Sequence, residues 1–292
     1  MIRRVLMATI AVMAVLIVSC SSDDGPPVAT LELETIGLEP LTGGTTYQGW
    51  IIVDGQAVPT DKFTDPSGTV RLNVLEADLE AASQFIVTIE PRGDNDNSPS
   101  DAKILAGNFN GTSAQLVFQT VVADVSNVSG QFYLDTPTDD VNDLDNGNDE
   151  FGVWFREGTD APGLSLPELA TGWRYEGWVD FGNKTLSTGT FSKVDATDDG
   201  NFFKGSGGTV PQFPGEDFLV LPSQIPLTGI TLPAEVTSKR VFITVEPFQD
   251  NDPEPFFIEP LSATAGITTG PANPVIMSID NAMPSGRATR PN

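Results

Sequence analysis

The sequence predicts an all-β protein: two tandem antiparallel β-sandwich domains, Ig-like or jelly-roll-like, behind an amino-terminal export segment. Three observations carry this. Short β-branched and aromatic runs are punctuated by 28 Gly and 23 Pro. Helical periodicity is almost absent after the first twenty residues. Two blocks of residues also occur twice, in the same order. Leu38-Glu39-Pro40-Leu41 and Tyr47-Gln48-Gly49-Trp50 return as Leu166-Pro167-Glu168-Leu169 and Tyr175-Glu176-Gly177-Trp178, at an offset of 128. Val58 and Phe63 match Leu186 and Phe191 at the same spacing. Phe85-Ile86-Val87-Thr88-Ile89-Glu90-Pro91 with Asp94-Asn95-Asp96 returns as Val241-Phe242-Ile243-Thr244-Val245-Glu246-Pro247 with Asp250-Asn251-Asp252, at an offset of 156.

From the start, Arg3 and Arg4 precede an apolar run from Val5 to Val18, too short to span a bilayer comfortably. Ile17-Val18-Ser19-Cys20 resembles the lipobox of bacterial lipoproteins, which implies cleavage after residue 19 and acylation of Cys20. An uncleaved amino-terminal anchor is the alternative. Residues 1–19 are thus read as signal peptide and 20–29 as tether. Ser21-Ser22-Asp23-Asp24 resembles the surface-export signal of Bacteroidetes-type lipoproteins. The expected location is the outer membrane, at the cell surface before its periplasmic face.

The first repeat is placed at 30–125. Gly49 to Val53 reads as a strand running into an Asp54-Gly55 hairpin turn. Val70 to Val74 alternates, Phe85 to Ile89 is a strand ended by Pro91, and Ala114 to Phe118 is another. Glu76 to Ser83 reads as one short helical turn. The second repeat is placed at 126–280, with strands at Ser129–Leu134, Phe151–Phe155 and Val241–Val245. It carries an acidic loop at 136–150 and a Gly/Pro/Phe-rich insertion at 195–224. Residues 281–292 have no pattern and are expected to be a disordered tail.

Composition excludes several chemistries. There is no His, and Cys20 is the sole Cys. That removes His-activated nucleophiles and ordinary zinc sites. The formal charge of −25, or −27 once Arg3 and Arg4 are cleaved away, argues against nucleic acid and anionic lipid as partners.

The repeated residues also carry a family resemblance. Tyr47, Gln48, Trp50, Val58, Pro59 and Phe63, then Val87, Thr88, Glu90 and Pro91, resemble the extracytoplasmic carboxy-terminal domain of anti-sigma-K factors. The second copy keeps Tyr175, Trp178, Phe191, Thr244, Glu246 and Pro247. The resemblance spans roughly Leu31 to Gly107 and, less fully, Leu164 to Gly266. In that family a cytoplasmic helical domain holds the sigma factor and a spanning helix joins it to the outer domain. Neither is legible here, so sigma-factor binding is not carried over.

Candidate sites follow. Trp50 and Trp178 are expected in the core, and Glu90 and Glu246 are twins of the repeat rather than a catalytic pair. Trp173, unique to the second copy, is an expected exposed partner contact. Phe202, Phe203, Phe213 and Phe218 of the insertion either pack it down or form a contact surface. Asp143, Asp145, Asp149, Asp250 and Asp252 are weak Ca²⁺ candidates, although the acidic loop fails the EF-hand register because Leu144 occupies its third position. No other cofactor is implied. The expected function is a lipid-anchored binding or structural module without catalysis. The alternatives are a carboxylate-dependent carbohydrate hydrolase and an accessory part of a cell-surface signalling system.

Overall fold

The computed structural model describes residues 25–139, 147–221, 227–249, 252–280 and 282–291. The signal peptide, Cys20, Asp143, Asp145 and Asp250 lie outside the described residues.

Repeat 1 comprises β1 (Val28–Ile36), β2 (Thr46–Val53), β3 (Gln56–Phe63), β4 (Thr69–Leu75), α1 (Glu76–Ala81), β5 (Gln84–Glu90), β6 (Lys103–Asn110) and β7 (Ser113–Val117). Repeat 2 opens with β8 (Ser129–Leu134), β9 (Gly152–Trp154), β10 (Arg156–Glu157), β11 (Ala161–Pro162), β12 (Leu164–Ser165), β13 (Trp173–Asp180) and β14 (Thr185–Phe191). It continues with β15 (Gly215–Asp217), β16 (Arg240–Pro247), β17 (Leu261–Thr264), β18 (Val275–Ile276) and β19 (Ser278–Ile279). One strand follows it, β20 (Ser285–Thr289). The all-β expectation, the Asp54-Gly55 turn and the short helix at 76–81 are all present. Asp54 and Gly55 take φ of 51° and 79°, which a tight antiparallel hairpin needs.

β20 overturns the disordered tail. It sits between β1 and β7 in an eight-stranded antiparallel sheet ordered β3-β2-β5-β6-β7-β20-β1-β4. Repeat 2 is therefore spliced between the last two strands of the first sheet. Residues 285–289 lack a long apolar run, yet Ala288 is fully buried. Arg290 anchors the segment through hydrogen bonds to the carbonyls of Leu79, Ala82 and Gly111, and its guanidinium lies 4.6 Å from the centre of the Phe109 ring. The sheet curls until its edges meet: Asp61 of β3 accepts hydrogen bonds from the backbone and side-chain nitrogens of Asn73 in β4, both 2.9 Å.

Repeat 2 pairs β14-β13-β16-β17-β19 in one sheet and β12-β8-β9-β15 in another, with β18 also on β8. β8 and β9 are antiparallel neighbours, with Tyr133 opposite Trp154 and Leu134 opposite Val153. In both repeats the Tyr-x-Gly-Trp strand packs the same way. Tyr47 stacks on Phe63 at 5.2 Å and donates to the Glu39 carbonyl at 2.8 Å. Tyr175 stacks on Phe191 at 5.6 Å and donates to the Pro167 carbonyl at 2.8 Å. A Cβ on Gly49 would lie 2.5 Å from Thr60 Oγ1, and one on Gly177 would lie 2.2 Å from Thr188 Oγ1, which is why both copies keep glycine. One continuous buried cluster runs through both repeats, from Leu31 and Phe85 to Val241 and Leu261. Among the described residues, no helix is long and apolar enough to cross a membrane.

Candidate functional site

Trp50 and Trp178 are buried, but on the faces of their sheets that point away from the main core. Trp50 packs instead with Ile86 and Ala106. Each indole N–H donates to a threonine hydroxyl on the neighbouring strand, Trp50 to Thr88 and Trp178 to Thr244, both 2.8 Å. Thr88 and Thr244 in turn donate to Glu90 and Glu246. Those buried carboxylates also accept loop amides, from Ser100 at 3.2 Å and Phe256 at 2.9 Å. Residues 88, 90 and 100 correspond to 244, 246 and 256 at the repeat offset. The two glutamates are thus anchors of equivalent loops. Twin relays explain why Trp, Thr and Glu recur at those spacings.

Of the two outcomes open for the insertion's phenylalanines, packing down holds for three and exposure for one. Phe203, Phe213 and Phe218 are buried, and Phe218 stacks with Phe203 at 5.7 Å and meets Phe181 edge-on at 5.1 Å. Phe202 alone of the four is exposed. Three carboxylates that no sequence pattern singled out hold this segment. Asp217 accepts from Trp154 Nε1 at 2.8 Å and from the Thr138 hydroxyl at 2.6 Å. Glu216 accepts from the amides of Phe203 and Asp217, and Asp198 from those of Gly200 and Gly215. Burial is the main cause that pushes their carboxyl groups up, to about 7 for Asp198, about 8 for Glu216 and about 6 for Asp217. The only signal was an acidic Glu-Asp pair amid Gly, Pro and Phe, and nothing in that pattern distinguishes a buried acid from a solvated one.

Trp173 is corrected: it is 4 % exposed and forms the joint between the repeats. Its N–H donates to the Lys103 carbonyl at 3.2 Å, and its ring meets Phe118 of repeat 1 and Phe256 of repeat 2 edge-on. The Ala170 amide donates to the Val122 carbonyl at 2.9 Å beside it. Gly172, at φ 94°, lets the chain approach so closely that a Cβ there would lie 2.4 Å from the Asp101 carbonyl carbon.

A cleft of about 960 Å³ opens at this joint. Repeat 1 contributes Ile89, Pro91 and Ser100–Ala102; repeat 2 contributes Leu166–Trp173, Tyr175, Ser192–Asp195 and Pro247–Gln249. Its walls are apolar through Leu166, Leu169 and Val194, with Phe248 60 % exposed at the mouth. The prolines Pro91, Pro162, Pro167 and Pro247 stiffen it. Its charged lining is Asp101, Glu168 and Asp195 against Lys193. A second groove of about 890 Å³ adjoins it, sharing Thr45 and Gln249.

Of the calcium candidates, Asp149 and Asp252 are described, and they make separate contacts. Asp252 accepts from Thr42 Oγ1 at 3.3 Å and from the Glu254 amide, whereas Asp149 accepts from Thr269 at 3.4 Å. Among the described residues, no group of three or more His, Cys, Asp or Glu is arranged to hold a metal.

The fold and its joint define a class: a double all-β unit whose halves, alike in sequence and packing, enclose a stiff apolar cleft. The family described as anti-sigma-K factor rskA, C-terminal, matches residues 11–104, so the first repeat is similar to that domain. That match covers less than half of the chain, ends in β6 and leaves the cleft's repeat 2 wall outside it. No curated protein and no solved structure matches the chain.

Proposed function

We propose that this protein is a lipid-anchored extracytoplasmic binding module at the outer membrane, held there by acylated Cys20, with the inter-repeat cleft as its binding surface. The cleft carries this reading. It is concave, largely apolar and walled by proline-stiffened segments, the features of a pre-formed ligand site. It exists only because two domains meet there. The most strongly titration-shifted carboxylates, Asp198, Glu216 and Asp217, line the insertion and not the cleft, which favours binding over catalysis.

The test replaces exposed Phe248 with a photo-crosslinking residue in cells fed a clickable fatty acid. The expected result is a fatty-acid-labelled protein in the membrane fraction, with a discrete adduct that the same crosslinker at Val28 does not form. Loss of the lipid label in Cys20→Ala completes it. A soluble, unlabelled protein with Cys20 intact would defeat the anchor, and adducts identical at both positions would defeat the cleft. A second reading, an accessory part of a cell-surface signalling system, is favoured by the family match over residues 11–104. A transmembrane protein among the adducts would support it.

A further inference from the structure

Among the backbone differences between the two repeats, one falls in the cleft. In repeat 1 the Leu41 amide donates to the Thr64 carbonyl at 2.9 Å, which closes the entry segment onto the end of β3. The equivalent pair in repeat 2 is Leu169 and Ser192, and both line the cleft. There the closing bond is not made: among the described residues, neither the Leu169 N–H nor the Ser192 C=O has a hydrogen-bond partner. A backbone donor and a solvent-exposed backbone acceptor thus stand open on two segments that line the cleft together with Leu166 and Val194.

From this geometry we infer that the cleft takes an extended peptide segment, whose main chain completes the bond that repeat 1 makes internally. This rests on the cleft being the binding surface. An amide of the guest would donate to the Ser192 carbonyl, and a guest carbonyl would accept from Leu169. Strand-type recognition draws its affinity from such main-chain bonds and its selectivity from pockets for alternate side chains. Here those pockets select apolar residues. Charge selects the rest of the guest: Asp101, Glu168 and Asp195 outnumber Lys193 along the lining, on a chain of net charge −25, so basic residues are favoured and acidic ones repelled. Four lining prolines lower the ordering cost, because the walls are stiff before the guest arrives.

The test titrates the full-length protein in lipid nanodiscs with an acetylated hexapeptide of alternating valine and lysine. Binding is read by Trp173 emission and by displacement of Nile red from the cleft. Two controls separate the claims: a valine–glutamate peptide, and the valine–lysine peptide with alternate amides N-methylated. Each should bind at least about tenfold more weakly than the parent, a loss of about 1.4 kcal/mol. Leu169→Pro, which deletes the donor, should lose a similar factor while its melting curve stays cooperative. If the methylated or acidic peptide binds as well as the parent, the peptide class is wrong. The cleft itself then still stands, provided that Val194→Arg abolishes Nile red binding. If Val194→Arg leaves Nile red binding unchanged, the cleft reading fails as well.

Discussion

Raising the pH from 6 to 8 should loosen the insertion, and Glu216 gives the size of the effect. Its carboxyl is fully buried, accepts only two backbone amides and has no cationic partner among the described residues. Burial raises it from 4.5 to about 8, with neighbouring Asp198 and Asp217 adding to the push. The folded state therefore keeps a proton that the unfolded chain gives up near pH 4.5. The stabilisation is complete below that pH and disappears as pH rises through about 8. Across the whole window one such proton is linked to at most about 5 kcal/mol, and between pH 6 and 8 to about 2 kcal/mol. Buried Asp198, raised by burial to about 7, gives up its proton in the same interval and adds to the loss in the same direction. The assay is urea denaturation at pH 6, 7 and 8, with hydrogen exchange at the Phe203 and Asp217 amides as the local readout. Glu216→Gln keeps the shape and removes the proton, so the slope should flatten by about one proton's worth. Stability that is constant or rising over that range, or a Gln variant with the wild-type slope, would refute the reasoning.

Other expectations concern the joint, the relays and the terminal strand. Thr88→Val keeps the shape of the side chain but strips Trp50 of its acceptor and Glu90 of its donor. It should cost about 1–3 kcal/mol in a denaturant titration, and Thr244→Val a similar amount. Removing residues 285–292 exposes the edges of β1 and β7, and should abolish the cooperative melt of the first sheet and expose it to proteolysis. Arg290→Ala should reproduce part of that loss, about 1–3 kcal/mol, through the carbonyls of Leu79, Ala82 and Gly111. Gly172→Ala should force the repeats apart, because φ 94° and the Asp101 backbone both oppose a Cβ. The measurable result is a red shift of Trp173 emission with at least about 1 kcal/mol of destabilisation.

Local pattern carried the strands well. Tyr47-Gln48-Gly49-Trp50 and Phe85 to Ile89 are strands because β-branched and aromatic side chains suit a pleated surface, and Asp54-Gly55 turns because its residues accept positive φ. The repeat offsets alone pair Glu90 with Glu246, since equal spacing on equal strands produces equal geometry. Trp173 defeats local pattern for the opposite reason. Its polar, Gly-rich approach resembles an exposed loop, and only the partner repeat, with Phe118 and the Lys103 carbonyl, covers it. The insertion's phenylalanines are ambiguous by composition, because an apolar ring does not state which surface it will find.

By itself, then, the sequence determined the β class, the internal duplication and the chemistry that an absent histidine forbids. Those are properties of residue type and short-range spacing. The tertiary structure alone decided that residues 285–289 return to the first sheet, that Asp198, Glu216 and Asp217 are buried acids, and that a cleft opens where Leu169 and Ser192 fail to pair. Each depends on segments tens to hundreds of residues apart coming into contact. Such contacts follow from how the two repeats pack against each other, and no local pattern in either repeat encodes them.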